Sequence, residues 1–136
     1  MSYTWTEDLA TGVAEIDDQH KELFARFNTL LEACRLRKGK EEIGRFLAFL
    51  EEYVIEHFAA EEKKMKESRY LSRTSHKVEH LEFMRQMSAI KKEAREFGAG
   101  VNVIMMAIRA SGDWLVNHIR KTDKAMAAHL RSNGAR

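Results

Sequence analysis

The sequence predicts an all-α fold: an antiparallel up-down-up-down four-helix bundle with an irregular N-terminal arm. Three observations predict it. The 136 residues contain no proline, which suits long uninterrupted helices, because proline removes a backbone donor and clashes with the preceding turn. Apolar residues recur at three- and four-residue spacings over long stretches. Short glycine-bearing or charged segments separate those stretches. At 44% apolar and 32% charged residues, one core and a soluble surface can both be built. The length fits a single domain over residues 1–136, with the arm at 1–17 and the bundle at about 18–131.

In order along the chain, Asp17 and Asp18 offer cap oxygens where a first helix would begin. Leu23, Phe24, Phe27, Leu30, Leu31 and Cys34 then line one face, and the helix ends near Gly39. A second helix opens on Glu41 and Glu42 and carries Ile43, Phe46, Leu47, Leu50, Tyr53, Val54 and His57 along one side, fading before Tyr70. A third runs from Ser72 or Thr74 to Phe97, with Val78, Leu81, Met84, Met87 and Ile90 among its inward residues, and "GAG" at 98–100 breaks it. The fourth runs from about Val101 to near His129. Gly112 inside it either makes room beside Trp114 or marks a kink.

The net charge of +2, with acids and bases interspersed, argues against a nucleic-acid stripe or a membrane-surface patch. No apolar run approaches a membrane span, and the start "MSYTWTEDLATG" lacks a signal-peptide layout. The one cysteine, Cys34, excludes an internal disulfide and reads as a small core residue. The expected compartment is the cytoplasm.

The histidines organise the rest. His20 lies on the first helix, His57 with Glu61 on the second, His76 and His80 on the third, and His118 with Asp123 on the fourth. Residues at one height of an antiparallel hairpin are equidistant from its turn. His20 and the His57/Glu61 pair centre on Gly39; that pair and His76/His80 centre in "ESRYLS"; His76/His80 and the 118–123 pair centre in "GAG". All three midpoints fall on turns read from glycine and polarity, so the seven residues are expected to share one layer. His129 stands about 16 Å further along the axis than His118, outside that layer.

Residues at i and i+4 share a helix face, so His57/Glu61 and His76/His80 can each aim two donors inward. His118 and Asp123 are five apart, about 140° on an ideal helix. Either they serve different metal ions, or a local π-turn brings them together. Five imidazoles and two carboxylates exceed the needs of one ion. A natural division is one ion with three histidines and one with two, both carboxylates spanning the pair and one coordination position left open for a small molecule. Such nitrogen-rich ligation suits iron, though zinc and manganese accept similar donors. Neutral imidazoles in place of carboxylates stabilise highly oxidised iron less well, which favours reversible oxygen binding over oxygen activation.

With "GVAEIDDQHKEL", "HFAAEE" at 57–62, "HKVEH" at 76–80 and "WLVNHIRKTD" at 114–123, the chain resembles a hemerythrin of the single-domain bacterial kind over nearly its whole length. The resemblance implies two iron ions with a bridging oxo or hydroxo group. His76, His80 and His118 would bind one iron, His20 and His57 the other, with Glu61 and Asp123 bridging. Oxygen would bind at the two-histidine iron, in an apolar pocket of Leu23, Phe58, Trp114, Leu115 and Ile119. Where the family usually carries Tyr-Pro, this chain has Tyr70-Leu71, a departure that bears on loop geometry and leaves every ligand position filled.

The expected function is oxygen storage, transport or delivery, without enzymatic activity. The expected partners are molecular oxygen and an oxygen-receiving protein, with the chain a monomer and neither nucleic acid nor membrane involved. Rival readings are an oxygen or redox sensor working through a partner protein, and a di-iron enzyme acting on peroxide or nitric oxide.

Overall fold

A computed structural model describes residues 2–96 and 100–136. It contains α1 (Ala14–Arg35), α2 (Lys40–Glu67), α3 (Arg73–Glu96), α4 (Val101–His118) and α5 (Lys124–Ser132). A π-helical turn, Ile119–Asp123, joins α4 to α5, so these three segments form one rod. Each rod packs against its sequence neighbour and α4 closes back on α1, which is the ring of an up-down-up-down bundle. No helix among the described residues is long and apolar enough to cross a membrane.

The start of α1 differs from the sequence reading. Asp17 is not its cap: the helix begins three residues earlier, and the Asp17 carboxylate, inside the first turn, accepts from the Thr11 backbone and hydroxyl, both at 2.8 Å. The arm is thereby pinned where it meets the helix. Glu41 and Glu42 do lie in the first turn of α2, where negative charge complements the helix dipole. Of the "GAG" break only Gly100 is described, with φ of 85°, a left-handed conformation that glycine adopts without a Cβ penalty. Residues 98 and 99, and the predicted helix end at Phe97, lie outside the described residues.

On α3 the inward face is His76, His80, Phe83, Met87, Ile90 and Ala94. Val78 and Leu81 point out instead, 49% and 62% exposed. Two histidines hold the core positions of the first turns, so apolar spacing alone selects the wrong residues there. Phe46 and Met84 pack at the edge of the core, partly buried.

Gly112 makes room, and for the N-terminal arm. A Cβ there would lie 2.4 Å from the Tyr3 ring, whose hydroxyl donates to the Arg109 carbonyl at 2.9 Å. Asn28 holds the Tyr3 backbone from the other side, accepting from its N–H and donating to its carbonyl. Further on, Arg120 and Lys124 bind Asp8, clasping the arm to the π-turn.

Apolar residues form two separate clusters. The larger includes Leu23, Phe27, Leu30, Leu50, Val54, Phe83, Met87 and Ile108; the smaller comprises Val13, Ile16, Met65, Met126, Ala127 and Leu130. In sequence, His20 falls between Ile16 and Leu23, and His57/Glu61 between Val54 and Met65. The polar layer therefore lies between two apolar ones.

Candidate metal centre

All seven predicted donors meet in that layer, each no more than 3% exposed. Burying five imidazoles and two carboxylates is costly unless they are paired or hold metal. The helices deliver them as the spacing anticipates: His57/Glu61 from one face of α2 and His76/His80 from one face of α3. The π-turn contributes Asp123, whose Oδ1 stands 3.1 Å from His118 Nε2. Its i→i+5 geometry turns two residues five apart toward one point.

The carboxylates divide their oxygens. Glu61 Oε1 is 3.1 Å from His80 Nε2 and 3.5 Å from His76 Nε2, whereas its Oε2 is 3.2 Å from His57 and 3.7 Å from His20. Asp123 Oδ1 lies 3.0 Å from His76 and 3.1 Å from His118, and its Oδ2 lies 3.0 Å from His20. Two donor groups result: His76, His80 and His118, and His20 and His57. Glu61 and Asp123 belong to both, and the donors of each group lie within 4.8 Å of one another.

These approaches are poorly satisfied as hydrogen bonds. Nε2 of His20, His57, His76 and His118, Oε2 of Glu61 and both oxygens of Asp123 are buried without a hydrogen-bond partner. Each orphaned buried polar group costs about 1–3 kcal/mol, so the arrangement is unfavourable unless something else occupies those lone pairs. Cations between the two groups fit that demand. Imidazole and carboxylate donors at this ratio accept iron, and the residues present match the requirement in number and type.

Without metal, protons take the role of the cations. Burial pulls His20 and His76 down, but the carboxylates of Asp123 and Glu61 outweigh it and hold both up at about 9. His118 is raised in the same way, against burial, chiefly by Asp123. Burial would raise Glu61 and Asp123, yet the surrounding histidines hold both carboxyls well below the usual range.

Three functional neighbours escape sequence reasoning. Nδ1 of His57 donates to Gln19 Oε1 at 2.5 Å, Nδ1 of His80 to Glu62 Oε2 at 2.8 Å, and Nδ1 of His118 to Glu79 Oε1 at 2.8 Å. The Glu62 and Glu79 carboxylates only accept and Gln19 presents its carbonyl oxygen, so Nδ1 carries a proton in all three rings and Nε2 is the nitrogen left to face the interior. The pattern has a rule: the residue beside a donor on one helix anchors a donor on the next. Gln19 adjoins His20 and serves α2, Glu62 adjoins Glu61 and serves α3, and Glu79 adjoins His80 and serves α4. That adjacency is the signal a sequence reader could have used.

Of the residues expected around the oxygen position, Leu23, Phe58, Leu115 and Ile119 are buried and Trp114 is partly so. Phe58 stacks on His80, with centroids 3.8 Å apart, and Trp114 stacks on His118 at 5.0 Å. His129 is elsewhere: Nε2 meets the Ser68 carbonyl at 2.9 Å, tying α5 to the end of α2.

A four-helix bundle with two donor groups sharing their carboxylates defines the class: a helical protein with a candidate metal site at mid-bundle. Residues 11–130 match the hemerythrin HHE cation binding domain, and the chain belongs to the hemerythrin family. It is 37% identical to a bacteriohemerythrin of Methylococcus capsulatus over 89% of this chain and 91% of that one. It is 36% identical to one of Pseudomonas aeruginosa over 93% of this chain and 80% of that one. A solved wild-type hemerythrin superposes with a TM-score of 0.85 at 36% identity, covering 94% of this chain and 97% of that one.

Proposed function

We propose that this protein binds oxygen reversibly at a non-heme di-iron centre and serves oxygen storage, transport or delivery. One observation carries the reading: Glu61 and Asp123 each present one oxygen to a three-histidine group and the other to a two-histidine group. That is the posture of a bridging carboxylate, repeated twice.

His76, His80 and His118 would hold one ion and His20 and His57 the other, leaving the second a ligand short. When bound, the iron pair with its bridging oxo or hydroxo group supplies the electrons and the open position that oxygen needs. The chain's own part is to fix the donors and keep water out. Gln19, Glu62 and Glu79 lock three rings in the Nδ1–H tautomer. Phe58 and Trp114 cover the three-histidine side by stacking on its rings, while Leu23, Leu115 and Ile119 are apolar residues proposed to wall the oxygen position. An apolar enclosure withholds protons and water from a bound gas and so favours its release unchanged. Binding and release without turnover is the activity assigned, not catalysis.

The test is anaerobic loading with ferrous iron followed by an absorption titration with oxygen. About two irons per chain, one oxygen per pair, and a visible band that vanishes on degassing over many cycles are expected. Steady consumption of peroxide or nitric oxide, or a band that never reverses, would overturn the assignment.

A further inference from the structure

The three outer anchors differ in charge, and the difference sorts by donor group. In the three-histidine group, His80 and His118 donate to carboxylates, Glu62 and Glu79. The Thr122 hydroxyl fixes Glu79 by donating to the same oxygen at 2.8 Å. In the two-histidine group, His57 donates to the neutral carboxamide of Gln19, whose own amide reaches Glu15 at 3.5 Å and so turns its oxygen toward the ring. Nδ1 of His20 and Nδ1 of His76 are buried without a partner, one in each group, and so cancel in the comparison.

A carboxylate accepting from Nδ1 draws the proton outward and makes Nε2 a stronger donor; a neutral amide does so much less. Stronger donors favour the more highly charged ion. Two charged anchors thus bear on one seat and none on the other, and the seat without them is the one with the vacancy.

Resting on the di-iron reading above, we propose that Glu62 and Glu79 are positioning residues that make the three-histidine seat the more readily oxidised of the two. Gln19 correspondingly holds the open seat ferrous. The outer acid and amide positions set the order in which the pair gives up electrons, while Nε2 geometry is common to both seats.

Spectroelectrochemical titration of the iron-loaded full chain tests this, using Glu62→Gln, Glu79→Gln and Gln19→Glu. All three conserve shape and a hydrogen-bond acceptor, so a purely structural role would leave the potential unmoved. Outer partners are worth about 10–100-fold in metal affinity. A tenfold loss of ferric over ferrous preference is about 59 mV for one electron. Each Glu→Gln change is expected to raise the first midpoint by about that much, and Gln19→Glu to lower the second. In half-oxidised wild-type protein, Mössbauer spectra should place ferric iron in a single seat, and that preference should weaken in Glu79→Gln. Midpoints that stay put in variants still holding two irons would overturn the proposal. If the Glu→Gln variants shed iron, Gln19→Glu decides: a lowered midpoint supports it and an unmoved one overturns it. A wild-type chain that fails to hold two irons counts instead against the di-iron reading.

Discussion

The layer of His20, His57, Glu61, His76, His80, His118 and Asp123 and the apolar layer of Phe27, Leu30, Leu50, Met87 and Ile108 are equally buried, yet they solve opposite problems. The apolar layer is complete in itself, because each side chain gains by contact with any neighbour of suitable shape. The polar layer is not: Nε2 of four of its five rings and three of its four carboxylate oxygens crowd together without a hydrogen-bond partner. One layer holds the rods together, and the other depends on the rods being held. Buried polar atoms left unsatisfied in this way are a stronger pointer to function than any count of helices.

Substitutions in the two layers should separate their roles. The largest effect should follow Asp123→Asn, which weakens a donor common to both groups: iron should fall from about two per chain to below one. His118→Ala, which touches one group, should spare the other ion, so the two variants separate on metal analysis alone. Chelation of the wild type should lower stability by about 4 kcal/mol for each ion present at a thousandfold its dissociation constant. Calorimetry with and without chelator measures that difference.

Leu50→Ala, in the apolar layer, should cost about 2–5 kcal/mol in loaded and metal-free protein alike while leaving the iron count unchanged. A change in iron content would show that the two layers are not independent. Gly112→Ala should cost about 1–3 kcal/mol by driving Tyr3 off α4, seen as proteolytic release of the arm.

Acid and base sharpen the contrast further. In metal-free protein His20 and His76 titrate at about 9, above the 6.5 of a free imidazole. Their stabilising charge is fully present below pH 6.5 and is lost as pH rises through 9, so the melting temperature should fall across that window. Metal-bound rings carry no such proton, so the loaded protein should lack this decline, and iron uptake at pH 7 should release protons. An identical pH profile in both forms would contradict the account.

Much of this was legible beforehand because antiparallel hairpins conserve height: the distance from a turn is arithmetic, whatever the packing. Midpoints at Gly39 and within "ESRYLS" land on described turns, and seven donors do share a layer. The local π-turn, one of two readings left open by the five-residue gap between His118 and Asp123, is present, and Asp123 also reaches both groups. What stayed hidden depends on rotation about the helix axis. Val78 and Leu81 look inward by composition, but His76 and His80 had already fixed the phase of α3. Gln19, Glu62 and Glu79 look like solvated polar residues until the neighbouring helix supplies a ring nitrogen. Tyr3 and Gly112 are 109 positions apart in a chain whose arm has no periodicity to read.

Anomalous diffraction at the iron edge, from crystals of the iron-loaded protein, locates the ions against their ligands. The account predicts two peaks about 3.5 Å apart, one against Nε2 of His76, His80 and His118 and one against Nε2 of His20 and His57, with Glu61 and Asp123 each giving an oxygen to both. A single peak, or two peaks with either carboxylate confined to one of them, would contradict it.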